Sequence, residues 1–235
     1  EARAYPLSVL MWHEIANDTI GGEPVTVTYC PLCNAAIVFS RKLDGQLLDF
    51  GTTGRLRNSD LVMYDRQTES WWQQFSGRAI IGELTGKKLK MLPSTTLPFG
   101  EFAERFPQGR VLVPNDPAMR AYGINPYTYY DSAKRPFLYS GEMPEGIEPM
   151  ERVVIFEGPS KPVVITITSL QKSSTKTREG VTLSWEAGMA SALDTPKIAK
   201  GRDTGFVTVT REGQPVPHHV TFAFVAYAFH PEVPI

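Results

Sequence analysis

Cysteine is scarce in this 235-residue chain: Cys30 and Cys33 are the only two, and both belong to one CPLC motif. A small secreted scaffold stapled by disulfides needs more, so a packed core has to supply the stability. Charge of one sign is lacking as well. Lys and Arg number 24 against 25 Asp and Glu, a formal net charge of −1. That balance gives no electrostatic reason to expect DNA, RNA or an anionic membrane as partner. Long hydrophobic runs are missing; the longest, TFAFVAYAF from Thr221 to Phe229, is too short to span a bilayer. The chain should not be membrane-spanning. Long helices are also unexpected, because Gly and Pro contribute 19 residues each. No P-loop, HExxH, GxGxxG or Ser-His-Asp order is found, and Gly51-Thr-Thr-Gly54 is too short for a phosphate loop, so no nucleotide cofactor is expected.

What is present is strand signal. A short helix is expected near the start, with Ser8 as cap and Asn17-Asp18 as its end. After Gly21-Gly22 the period becomes two: VTVTY (Val25 to Tyr29) leads into CPLC, and AIVFSR follows it. LDGQ (Leu43 to Gln46) is an Asp-Gly hairpin turn. DLVMYD (Asp60 to Asp65) and ESWWQQF (Glu69 to Phe75) predict a second hairpin, and Phe99 to Phe106 a short helix. That hairpin concentrates Asp60, Asp65, Arg66 and Glu69, and Asp65 and Arg66, at its turn, are expected as ion pairs or solvated surface. Asp131 to Pro149 reads as a connector, and RVVIF, PVVITIT, VTLSW, GFVTVT and HVTFAFVAYAF as further strands. The expected fold class is mainly β, a β-rich α+β arrangement with short helices only. It divides into a first half over 1–130 that carries CPLC, a connector over 131–150 and a second half over 151–235. A shift of 156 positions lays VTVTYCPLCNAA over VTLSWEAGMASA, so the second half reads as a degenerate repeat in which Glu186 and Met189 stand at the Cys30 and Cys33 positions.

CPLC can form a reversible disulfide or present two soft ligands to one metal. Thioredoxin-type activation needs the first Cys at a helix N-terminus, and here both flanks are strand-like. A structural zinc knuckle needs four ligands, and no second CxxC or HxxxH exists. That leaves a mixed site with residues from distant strands, or two buried structural thiols. The four histidines are His13, His218, His219 and His230. His230 ends the most apolar run, where an imidazole could complete a site with Cys30 and Cys33; alternation along Thr221 to His230 would make that run a central strand and face His230 towards CPLC. His218 and His219 should point opposite ways and be exposed, and His13 should pack. Thiolate and thioether are soft, so Cys30, Cys33, His230 and Met189 together would suit copper better than zinc; zinc or iron stay open.

Three segments, YPLSVLMWHEIANDTIGGEPVTVTYCPLCNAAIVF, NSDLVMYDRQTESWW and the terminal AFHP, resemble the DUF3179 family. The resemblance covers most of the first 115 residues, weakens, and returns at AFHP. It matches Cys30, Cys33 and His230 to the family's CPLC and AFHP motifs, with Asn34 where a Gly is frequent. The family is named for having no assigned function. Its members are bacterial and archaeal, often with an export signal or lipoprotein anchor. The resemblance therefore implies an extracytoplasmic place, with a segment before Glu1 removed by processing or trimming. Three functions follow as expectations: an exported metal-binding, redox-active protein; a metal-free thiol–disulfide protein; and a structural subunit with a protein partner in an extracytoplasmic complex.

Overall fold

The computed structural model of the protein describes residues 1–234. It is mainly β, with 38% of residues in strands and 15% in helices, and its small sheets form a four-blade propeller-like arrangement. The first sheet is an antiparallel set of Ile15–Ile20, Glu23–Cys30, Ala35–Ser40 and Met91–Leu92. The second is a meander of Phe50–Arg57, Asp60–Asp65, Trp71–Gln73 and Arg78–Ile81. Pro162–Thr166, Arg152–Glu157 and His218–Phe222 make the third, and Thr175–Arg178, Val181–Glu186, Phe206–Arg211 and Gln214–Pro215 the fourth. Four short helices accompany them: α1 (Leu7–His13), α2 (Phe99–Arg105), α3 (Ile167–Ser173) and α4 (Ala223–Phe229).

The residue pattern explains these elements. In Glu23–Cys30, β-branched residues pack on both faces, and every residue from Val25 to Cys30 is buried. The Asp44-Gly45 turn has both residues at positive φ, 49° and 81°, as a two-residue hairpin of the favoured twist requires. One core runs from Leu10, Tyr29, Ile37 and Trp72 in the first part of the chain to Val153, Ile155 and Phe222 through Ala226 in the second. A smaller core, including Val154, Leu170, Leu183 and Val209, lies between the third and fourth sheets. VTVTY and VTLSW each sit inside a four-stranded antiparallel sheet, between strands adjacent in sequence. Beyond these strands the two stretches differ: CPLC closes a tight hairpin, whereas Met189 lies in a long loop where its carbonyl accepts from Thr204 N–H (2.9 Å).

Several expectations are corrected. The run from Thr221 to His230 is not a strand. The strand ends at Phe222 and α4 begins at Ala223, with Ala223, Phe224, Val225 and Ala226 all buried. The helical segment has no strongly polar residue on any face, so it shows no amphipathic period to distinguish it from a buried strand. PVVITIT likewise switches to α3 at Ile167, where Thr166 caps by accepting from Ser169 N–H (3.2 Å). Helix α1 starts after Pro6 without a side-chain cap, so Ser8 does not serve as one. Asn17 and Asp18 do not end a helix. They lie in Ile15–Ile20, where Asn17 bonds both backbone groups of Phe50 and Asp18 accepts from Arg3 and Tyr5. Tertiary partners there outweigh the turn preference of both residues.

Candidate metal centre

Two hairpin turns bring the site together. Cys30 ends its strand opposite Ala35, and residues 31–34 close the hairpin with Cys33 N–H donating to the Cys30 carbonyl (3.2 Å) and Asn34 N–H to the Pro31 carbonyl (3.1 Å). Asn34 sits at φ 51°, in the left-handed region that Asn and Gly enter most cheaply. This accounts for either residue at that position. CPLC is thus strand–turn–strand, and its first thiol ends a strand rather than opening a helix. The opposing turn joins Phe50–Arg57 to Asp60–Asp65 through Asn58 and Ser59, both at positive φ (54° and 64°). Ser59 is held there by donating its hydroxyl to the Phe137 carbonyl (2.8 Å).

Where the turns meet, Cys30, Cys33 and Asp60 present one ligand atom each, all within 4.8 Å of one another. Cys33 Sγ–H reaches Asp60 Oδ1 (3.4 Å) and the Ser59 carbonyl (3.5 Å), and Cys30 Sγ–H reaches the same carbonyl (3.8 Å). Both thiols are free, and Cys33 and Asp60 have no solvent exposure at all. The other Asp60 oxygen accepts from Phe75 N–H (2.9 Å) and the Gln73 side-chain amide (2.5 Å). Burial lifts the Asp60 carboxyl to about 6, with these hydrogen bonds opposing it. Burial, with the Cys30 thiol and Asp60 beside it, pushes the Cys33 thiol well above its ordinary value. The later part of the chain pins the loop: Thr221 Oγ–H donates to the Cys33 carbonyl (2.7 Å), and Tyr130 O–H to that of Leu32 (3.0 Å).

Both sulfurs are close together and buried, as apolar flanking strands imply. The third group beside them is Asp60, to which sequence reasoning assigned no role. The signal that marks it is a carboxylate opening an otherwise apolar strand, DLVMYD, where an unpaired charge would be costly. Asp65, at the other end, is also buried; it accepts from Thr68 N–H (2.6 Å) and Trp72 Nε1–H (2.8 Å) and organises its own hairpin. His230 lies outside the 4.8 Å group. It follows α4, its Nδ1 is 3.9 Å from Glu232, and its ring is tilted beside Phe75 with centroids 6.4 Å apart. The exposure expected of His218 and His219 is corrected. His218 is buried, with Nδ1 against the Val216 carbonyl (2.8 Å), and His219 stacks on Phe75 at 4.4 Å. His13 meets Tyr122 O–H through Nε2 (2.7 Å).

The model of one family, described as a protein of unknown function (DUF3179), matches residues 1–233. The chain belongs to the DUF3179 family. That match runs through the stretch after residue 115, where the recognisable motifs thin out. No curated protein and no solved structure matches the chain. For this DUF3179 protein the chemistry must therefore be read from its own residues. Two thiols and a carboxyl buried within 4.8 Å of one another fit a metal ion: three anionic donors are costly to bury together without a cation and well matched to one. Among the described residues no helix is long and apolar enough to cross a membrane.

Proposed function

We propose that this DUF3179 protein binds a single metal ion through the thiolates of Cys30 and Cys33, with the Asp60 carboxylate as third donor, and that the ion is copper(I). The observation that carries the reading is the convergence of these three buried groups within 4.8 Å. A closed structural zinc site takes four protein ligands, and three converge here; a thiolate pair on one turn satisfies the soft, low-coordinate copper(I) ion. The open position that zinc would retain could support hydrolysis, so zinc is the competing metal. The position of His230 beside Phe75 and Glu232 favours Asp60 over it as third ligand. The family resemblance supports an extracytoplasmic place for this chemistry.

The test is to purify the protein without chelator, measure its metal content, and titrate the metal-free form with copper(I) and with zinc. One copper per chain, lost in a Cys30→Ser, Cys33→Ser double variant, is expected. Full occupancy by zinc with no copper uptake would overturn the metal assignment.

A second reading has one observation in its favour: the two free sulfurs share one turn. An external disulfide could oxidise them, R–S–S–R plus two Cys thiols giving the Cys30–Cys33 disulfide and two R–SH. Thiol titration with and without reductant separates this reading from metal binding.

A further inference from the structure

The two thiols are not equivalent. Cys33 is sealed, its sulfur turned to Asp60 and the Ser59 carbonyl. Cys30 lines a cavity of about 270 Å³ that opens to the surface, and neither Cys33 nor Asp60 lines it. The walls are apolar, from Leu56, Phe137 and Leu138, all exposed at the rim. Two charged side chains also line it: Glu14 from the end of α1 and Arg55 from Phe50–Arg57. The Glu14 backbone is fixed, its N–H donating to the Leu10 carbonyl and its carbonyl accepting from Tyr29 N–H (both 2.8 Å). Its carboxylate has no hydrogen-bond or ion-pair partner among the described residues, although Glu14 is only partly exposed. Burial raises its pKa. Cys30, itself only 1% exposed, therefore borders one small cavity together with an acidic and a basic residue, Glu14 and Arg55.

We propose that this cavity is the loading port of the metal centre, and that its substrate is copper(I) carried by a small zwitterionic thiol of the size of free cysteine. This rests on the metal-binding reading. The volume lies just below the ~300–1,000 Å³ of pockets that take drug-sized ligands, so a cysteine-sized carrier is the fitting class. Its ammonium would face Glu14, its carboxylate Arg55, and its sulfur-bound copper Cys30. In the first step a copper–sulfur bond to the carrier breaks as one to Cys30 forms. The Cys30 S–H bond breaks too, and its proton goes to the departing thiolate: R–S–Cu + Cys30–SH gives Cys30–S–Cu + R–SH. In the second step the Cys33 S–H bond breaks as its sulfur binds copper, and the proton passes by way of Asp60 to water, so that Cys33 becomes the second thiolate ligand and Asp60 is left ionised as the third donor. Copper stays in the +1 state throughout.

The experiment follows the rate of copper(I) uptake from its cysteine complex and from its 2-mercaptoethanol complex, which lacks both charges. Leu56→Trp narrows the mouth from an exposed strand position and should slow uptake from either carrier at least tenfold, with the final content still one copper per chain. Glu14→Gln and Arg55→Gln should slow uptake from the cysteine complex several-fold and leave the 2-mercaptoethanol rate within twofold. An unchanged rate in Leu56→Trp overturns the port, and equal slowing with both carriers in the charge variants overturns the zwitterionic substrate. Iodoacetamide labelling of the folded, metal-free protein tests the port without any metal: Cys30 should be alkylated before Cys33, and Cys33-first or equal labelling overturns it. If no copper binds but Cys30 is still labelled first, the metal reading fails while the access route stands.

Discussion

Two neighbouring regions hold buried titratable groups, and they are built on opposite principles. The side-chain polar atoms of Cys30, Cys33 and Asp60 converge on one another, and each of these side chains has a hydrogen-bond partner. Around His219 and His230 the rings are packed by aromatic stacking. Phe75 lies against His219 at 4.4 Å and Phe229 at 4.7 Å, both at 22°, and His219 Nδ1 is enclosed without a hydrogen-bond partner among the described residues. Burial of the ring, with the charges of His218, His230 and Lys88, drives His219 down to about 3, so it serves as a neutral, flat apolar body. Burial also lowers His230, against the nearby charges of Glu232 and Glu157. Phe75 belongs to both regions, its N–H on Asp60 and its ring among the histidines. The difference teaches that burial alone does not make a site; convergence of donors does.

The comparison breaks or sharpens under substitution. The largest effect is expected from removing the thiols: Cys30→Ser with Cys33→Ser should abolish copper uptake, whereas His230→Ala should leave one copper per chain. Metal loss in His230→Ala would merge the two regions into one site. Asp60→Asn should weaken copper binding by roughly 10–100-fold, the range typical when a group supporting a metal centre is lost, as read by competition with a chelator of known affinity.

Asp60 should also make the metal-free protein pH-dependent. Its carboxyl keeps its proton to about 6 in the folded chain, against 3.8 ordinarily. Between those values the unfolded chain has released a proton that the folded one retains, so stability falls as pH rises. The contribution is complete below about pH 4 and lost above about pH 6, on the order of 3 kcal/mol in all. Denaturant melts across that window should show the slope in the wild type and a flatter one in Asp60→Asn. The smallest effect is expected from Thr221→Val, which deletes the bond to the Cys33 carbonyl and should cost about 1 kcal/mol in the same melts.

Much of the site was legible because its parts are local. VTVTY and AIVFSR show strands on either side of CPLC, which places both thiols on one hairpin turn. The third donor was not legible. Asp60 reaches Cys33 because two separate hairpins pack turn to turn, and no periodicity in either segment records that approach. The same limit applies to Thr221 and Tyr130, which anchor the loop from far along the chain. Helix α4 escaped for a different reason: a run with no charged or strongly polar residue carries neither the helical nor the strand period.

The most direct test of the account is X-ray absorption at the copper edge of the copper(I)-loaded protein, compared between wild type and His230→Ala. The account predicts two sulfur scatterers, no imidazole signature, and the same spectrum in both proteins. An imidazole signature that disappears in His230→Ala would contradict it.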